Sequence, residues 1–359
     1  ANRPFGSMAN ETISENIKPY RMQEYEIGLE LQAFKRRVGL DITYFARKTE
    51  NELIRKQLSV ASGYQFSYEP LGITQNNGIE LNLTGDIVKG RDFNWKSSFN
   101  ITWVKNKLVK IDNNEDPGPL RKDGEGQYRA AVGPYSNGAF IASVQGLPIA
   151  QIMAYDFRYD DKGQIVVGAD GIPLRGELKA MGSGLPKFYG GFNNDFTYKK
   201  FNFSVLFDYK FGNKVLSGTD FMSYYYGLNK KTLEGRETGV VAKGVYTDGT
   251  PNTSLVNAQD YYKGLVTNVS TISVFDGSFI KLRQVGLGYL FTPDFLSKTP
   301  FQAINVSLVA RNLLTLLKYT DNFDPEDTFS SLPGNAGLEG GGLPQTRTYG
   351  INVNFKFRK

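Results

Sequence analysis

The stretch KKFNFSVLFDYKFG, residues 199–212, puts Phe201, Phe203, Val205, Phe207, Tyr209 and Phe211 on odd positions. Asn202, Ser204, Asp208 and Lys210 take most even ones. A strand turns successive side chains to opposite sides, so this pattern gives one aromatic face and one polar face. EYEIGLELQAF repeats it with Tyr25, Ile27, Leu29 and Leu31 against Glu24, Glu26, Glu30 and Gln32. NGIELNLTGDI sets Ile79, Leu81, Leu83 and Ile87 against Glu80, Asn82, Thr84 and Asp86. FNWKSSFNITW and the closing TYGINVNFKF follow the same rule.

A soluble sandwich alternates too, so strand length and connection length decide between the two settings. Soluble strands cluster near 5–6 residues, whereas strands that cross a bilayer need about 9–11. Several runs here reach that length and carry aromatics at their ends, as Phe201 and Phe211 do. We expect nine strands, at 22–34, 36–48, 77–88, 93–106, 187–198, 201–211, 279–291, 303–317 and 346–357. Their connections alternate between short turns and long loops, the long ones covering about 49–76, 107–186, 212–278 and 318–345. That alternation is the plan of an antiparallel transmembrane β-barrel with its long loops on the extracellular side. The final strand then runs inward and ends in the periplasm, and the strand at 22–34 also enters from outside. A closed barrel uses an even strand number, so residues 1–359 are expected to form the C-terminal portion of a larger barrel.

Composition agrees with a sheet protein and narrows its chemistry. The chain of 359 residues has 25 Phe, 21 Tyr and 39 Gly, but no Cys and no His. Disulfides, thiol chemistry and the commonest general base and metal ligand are thereby excluded. The net charge of +6 is modest and dispersed, so no nucleic-acid partner is expected. No apolar run is long enough for a membrane helix, and ANRPFGSMANETIS is not a signal peptide. Neither observation bears on a barrel, whose apolar content is hidden by alternation.

Five segments, in order along nearly the whole chain, resemble the C-terminal barrel of the SusC/RagA-type TonB-dependent outer-membrane transporters. They are NNGIELNLTGDI, LPKFYGGFNNDFTYKKFNFSVLFDYKFGNKV, GSFIKLRQVGLGYLF, VARNLLTLLKYTDNFDPE and RTYGINVNFKF. The resemblance implies a barrel of about 22 strands with an N-terminal plug domain. It also implies active import of an oligosaccharide or peptide across the bacterial outer membrane, with TonB supplying energy through the N-terminal part and a SusD-like surface lipoprotein as lid. A passive porin-like or structural barrel is the main alternative, and a secreted glycan-binding β-protein the third. None of these is an enzyme, and no cofactor is expected.

Candidate site residues fall into three groups. Tyr224, Tyr225, Tyr226, Tyr261 and Tyr262 suit ligand or lid contact, because a phenol offers both an apolar face and a hydroxyl. Packing among the loops is the simpler role for any one of them. Glu26, Glu30, Glu80, Asp86, Asp195, Asp208 and Arg311 lie on polar strand faces and would look into the lumen. Lys281 and Arg283 come from GSFIKLRQVGLGYLF, residues 277–291, whose apolar positions switch from even to odd halfway. A bulge near Gln284 would explain the switch, and the two cations would then sit at the outer surface, within reach of lipopolysaccharide phosphates. The acidic runs with Asp160, Asp161 and Asp170, and with Asp321, Asp324, Glu326 and Asp327, lack calcium-loop spacing. They read as turn or loop residues, and no metal site is assigned. The pair Glu24 and Glu26 could suggest a glycosidase, but such faces recur on several strands and point to a wet wall instead.

Overall fold

The computed structural model describes residues 11–57, 60–64, 66–110, 128–130, 138–327 and 336–358. A short strand β1 (Glu11–Ile13) precedes β2 (Arg21–Ala33), β3 (Val38–Gln57), β4 (Phe66–Lys89) and β5 (Phe93–Lys110). The next connection holds β6 (Tyr128–Ala130), β7 (Phe140–Ser143), β8 (Gln151–Phe157) and β9 (Arg175–Ser183). After β10 (Phe188–Tyr198) and β11 (Phe201–Phe211) come β12 (Lys214–Ser217), the helices α1 (Gly218–Tyr225) and α2 (Ala258–Asn268), and β13 (Val274–Asp276). The chain closes with β14 (Phe279–Phe291), β15 (Phe301–Lys318), β16 (Leu338–Glu339) and β17 (Thr348–Phe357).

The long strands form one sheet in the order β17-β15-β14-β11-β10-β5-β4-β3-β2, with β1 added in parallel to β4. Along that order every neighbour is antiparallel. The sheet is open, with β2 and β17 at its edges. All nine long strands coincide with runs of alternation, and β11 and β14 match them to the residue.

Register explains why alternation produces a wall with two sides. Phe203 pairs with Phe196 on one side and Leu287 on the other, and Phe207 with Phe192 and Leu282. Ser204 and Asp208 lie between Asp195 and Gly286, and between Gly191 and Lys281. The apolar face stays open to the surroundings: Ile27 is 77% exposed, Ile351 70% and Leu287 49%. In water an apolar expanse of this size would cost about 25 cal/mol for each Å², whereas hydrocarbon accepts it without that cost.

Two polar groups on the apolar face find partners within it, as lipid contact favours. The Trp95 indole N–H donates to Asn194 Oδ1 at 3.0 Å. The Tyr209 hydroxyl reaches across Gly190 and donates to the Asn100 carbonyl at 2.8 Å. A Cβ at position 190 would stand 2.1 Å from that carbonyl oxygen, so only glycine leaves the hydroxyl its path.

One expectation changes and another is met. The long loop expected over 49–76 is largely strand, since β3 and β4 stay paired out to Gln57 and Phe66. Register slips between Thr49 and Leu53, with Asn51 at a φ of 60°, where the hairpin continues beyond the segment read from alternation. The phase switch in β14 is the expected bulge near Gln284, and the extra residue is Arg283: Leu206 faces Gln284 while Phe207 faces Leu282. Ile280 and Leu282 therefore share the apolar face with Val285, Leu287 and Tyr289, opposite Tyr209, Phe207, Val205, Phe203 and Phe201. One extra residue restores a continuous apolar row.

Gly190→Val should lower the thermal unfolding midpoint in detergent well beyond Tyr209→Phe, which removes one hydrogen bond worth about 1 kcal/mol. Equal midpoints for the two variants would show that the close approach at Gly190 is not a constraint.

Candidate functional site at the long-loop end

The large connections pack into one cap. β6, β7, β8 and β9 make a four-stranded sheet, and β13, β12 and β16 a three-stranded one. Ala139, Ile141, Ala150, Ile152 and Ala154 from the first connection form a dry core with Leu216 from the second and Leu338 from the last. Backbone bonds seam the pieces together. Val167 N donates to Val245 O at 2.8 Å, Ser270 N to Tyr155 O at 2.9 Å, and Leu216 N to Gly337 O at 2.7 Å. Gly337, at a φ of 87°, has its missing Cβ position 2.7 Å from Gly184 Cα, so any side chain there would part the seam. Residues 111–127, 131–137 and 328–335 of the expected loops lie outside the described residues.

Four of the five candidate tyrosines line one cleft of about 710 Å³ in this cap. Ser217 caps α1 by accepting from Asp220 N, and Asn257 caps α2 by accepting from Gln259 N. The two helices then pack Tyr224 against Tyr262, with ring centroids 6.1 Å apart. Both rings are buried, and burial raises both hydroxyl pKa values. Tyr262 also donates to Glu234 O at 3.2 Å. These two shape the cleft from within. Tyr225 and Tyr226 meet edge-to-face at 5.3 Å, and Tyr226 is 65% exposed beside the exposed Leu228. Asn257, Gln259, Arg236, Glu237 and Lys263 add polar groups to the lining. Tyr261 packs on Tyr262 and does not line the cleft.

Lys281 and Arg283 sit at the long-loop end but not on an open outer surface. Lys281 is 4% exposed and donates to Asp324 at 2.7 Å and Glu326 at 2.5 Å. Arg283 bridges Asp208 at 2.5 Å and Glu326 at 2.9 Å, and reaches Asn312 and Gln345. The register opposite Asp208 turns Lys281 onto the polar face, away from any lipid headgroup. The acidic run TDNFDPED thus supplies the counter-charges that pin its loop to the wall. Burial works to raise both carboxyls, yet the Lys281 bond and the Glu326 amide hold Asp324 below the usual carboxylate range, and bonds from Arg283 and Lys281 do the same for Glu326.

Two further buried carboxylates, Asp220 within α1 and Glu339 beside it, form no salt bridge among the described residues. Asp220 accepts from Asn229 Nδ2 at 3.0 Å and from Ser273 Oγ at 3.1 Å. Glu339 accepts from the hydroxyls of Ser217 and Thr219 and from Gly341 N. Burial pushes the Asp220 carboxyl up to about 6, against the lowering effect of the Ser273 bond. No sequence spacing marked this pair, because their partners come from segments far apart in the chain.

The seven polar candidates all share the polar face of the sheet. Glu26 and Glu30 fall in register with Phe45 and Asp41, Glu80 with Thr43 and Thr102, and Asp86 and Asp195 with Lys96. Asp208 faces Lys281 and Arg311 faces Gln284, to which it donates at 3.2 Å. Asp160 accepts from the amides of Lys162 and Gln164, and Asp170 from that of Ile172, as turn residues do.

Residues 2–140 match the family model described as TonB dependent receptor-like, beta-barrel. TonB-dependent receptor P3 of Formosa agariphila is 26% identical, over 98% of this chain and 36% of its own length. TonB-dependent receptor SusC of Bacteroides thetaiotaomicron is 22% identical, over 99% of this chain and 34% of its own. The chain therefore spans about a third of the curated relatives it matches. Among solved structures, the RagAB peptide importer in its closed-closed state aligns with a TM-score of 0.66 at 19% identity, covering 93% of this chain and 35% of that one. Its open-open state gives 0.65 at 18%, covering 94% and 34%.

Lys281→Met leaves Asp324 and Glu326 buried with one cation fewer, and breaking such a pair costs roughly 3–5 kcal/mol. Residues 319–327 should then exchange amide hydrogens faster than in the unaltered protein; unchanged protection would remove the pinning role. In the unaltered protein the pinning is complete above the unfolded carboxyl pKa and weakens as pH falls through the lower folded values.

Asp220 behaves in the opposite sense, because its folded pKa is raised. Its contribution is most favourable below pH 4 and declines by about 3 kcal/mol as pH rises to 6. Asp220→Asn should flatten the pH dependence of amide protection in α1 across that window. An identical profile in the variant would assign the dependence to another group.

Proposed function

Taking the chain as a barrel segment of a TonB-dependent receptor of the SusC/RagA type, we propose that it forms part of the wall and outer cap of an active outer-membrane importer. The carrying observation is the sheet's two-sidedness together with the placement of the cap at one end. An exposed apolar face suits lipid, a polar face suits a lumen or a plug, and the cap stands where cargo would arrive.

In this reading the long-loop end is extracellular and the short turns and the C-terminus are periplasmic. Glu26, Glu30, Glu80, Asp86, Asp195, Asp208 and Arg311 look into a wet lumen or onto the plug. Tyr225 and Tyr226, held by the buried Tyr224 and Tyr262 and the half-buried Tyr261, present rings and hydroxyls to an oligosaccharide or peptide, or to a SusD-like lid. TonB would act through parts of the full-length relatives that this sequence does not span. The chain is read as a carrier, not an enzyme.

A passive porin shares the wall but needs no energy source, and a secreted glycan-binding protein does not account for the exposed apolar face. The full-length protein should take up labelled oligosaccharide or peptide only while the proton gradient stands. Uptake that survives a protonophore would favour the porin. Tyr225→Ala with Tyr226→Ala should raise the KM for uptake several-fold or release a copurifying lid lipoprotein. Wild-type values for both would take the cleft out of the transport route.

A further inference from the structure

The connections at the end of the sheet opposite the cap share one property: each carries at least one cation, and together they are strongly basic. Lys35, Arg36 and Arg37 occupy the β2–β3 turn, Lys89 and Arg91 flank Gly90 between β4 and β5, and Lys199 with Lys200 makes the β10–β11 turn. Lys298 lies between β14 and β15, and Arg358 follows β17. Acidic neighbours are Asp86, Asp92 and Asp294.

These carboxylates leave much of the positive charge uncompensated. Asp86 makes only loose pairs, at 3.8 Å with Lys89 and 4.0 Å with Lys96. Arg37 and Arg358 spend their guanidinium groups on backbone carbonyls, of Asp86 and Ile87 and of Leu296 and Ser297, and so keep their charge. Lys199 stands over the Tyr198 ring at 5.6 Å. Lys35, Arg36, Arg91, Lys200 and Lys298 have no carboxylate partner among the described residues.

Position gives the charge its meaning. Phe34, Tyr198, Phe201, Phe295 and Phe357 are exposed rings at or beside the strand ends, and each lies within a few residues of one of these cations. Rings at strand ends settle at the headgroup level of a bilayer. Cations next to them then lie at the depth of lipid phosphates. Hairpin turns along such a sheet recur about every 10 Å, so the charge forms a rim spread across the wall. A protein partner would be expected to read a compact patch, whereas a leaflet can meet a rim all along its length.

We propose that this basic rim binds the headgroups of anionic phospholipids in the leaflet at the short-turn end. The inference rests on the membrane-wall reading above and adds a lipid preference to it. Attraction between basic residues and an anionic surface acts within a Debye length and weakens with salt.

The test uses the full-length protein, purified in detergent and offered phosphatidylglycerol and phosphatidylethanolamine in equal amounts, with bound lipid read by native mass spectrometry. The unaltered protein should retain phosphatidylglycerol with a roughly tenfold preference that collapses in about 0.5 M salt. The combined variant K35Q/R36Q/R91Q/K199Q/K200Q/K298Q should lose most of that preference while keeping heat-modifiable gel migration. The salt titration needs no variant, so a folding defect cannot mask the result. No preference in the unaltered protein, or full preference in the variant, overturns the proposal. So does a variant that keeps its lipids but loses a copurifying soluble protein. Failure of the unaltered protein to show heat-modifiable migration or to require detergent would instead defeat the membrane-wall reading.

Discussion

Strand register is the constraint on which the rest of this structure depends. In an apolar medium the backbone amides and carbonyls of a strand can be satisfied only by neighbouring strands. Because side chains alternate with a period of two, a slip of one residue would send an entire apolar row to the polar side. From β2 to β17 the pairing holds Phe203 beside Phe196 and Leu287, and Asp208 beside Gly191 and Lys281. The bulge at Arg283 follows from the same requirement. Without the extra residue, either Ile280 and Leu282 or the row from Val285 to Phe291 would face the wrong way.

That single bulge also connects the wall to the cap. It places Arg283 where its guanidinium spans Asp208 on the wall and Glu326 on the last connection, while Lys281 holds Asp324 and Glu326. The connection then returns through Gly337 and Leu338 to the dry core shared by all three large connections. A local correction of register thus becomes an anchor for a loop, and through that loop for the body that presents the tyrosine cleft.

Much of the wall was legible in the sequence because its physics is local. Alternation, strand length and turn composition depend on neighbours in the chain, and they located all nine long strands and the polar face that carries Glu26, Asp195 and Arg311. Ends were less legible: β3 and β4 run on past their alternating segments because each is held by its partner, which a single strand's pattern does not record. The destination of Lys281 was hidden for the same reason. Its counter-charges lie more than forty residues downstream, and an exposed cation and a buried one look alike in sequence. Asp220 and Glu339 left no signal at all, since Ser273 reaches Asp220 from 53 residues downstream and the Ser217 and Thr219 hydroxyls reach Glu339 only once α1 and β16 have met.

The tyrosines show where composition stops being informative. YYYGLN and YYKGL are equally aromatic, yet helix geometry gives neighbouring rings different fates. Successive residues on a helix point about 100° apart, so one ring of each run turns inward and its neighbour outward. Tyr224 and Tyr262 turn inward and meet, which fixes the distance between α1 and α2. Tyr226, just past the end of α1, is left with its ring against Tyr225 and its face toward solvent. The exposed ring owes its placement to the buried pair, so a stable cap and an open aromatic cleft are two outcomes of one packing arrangement.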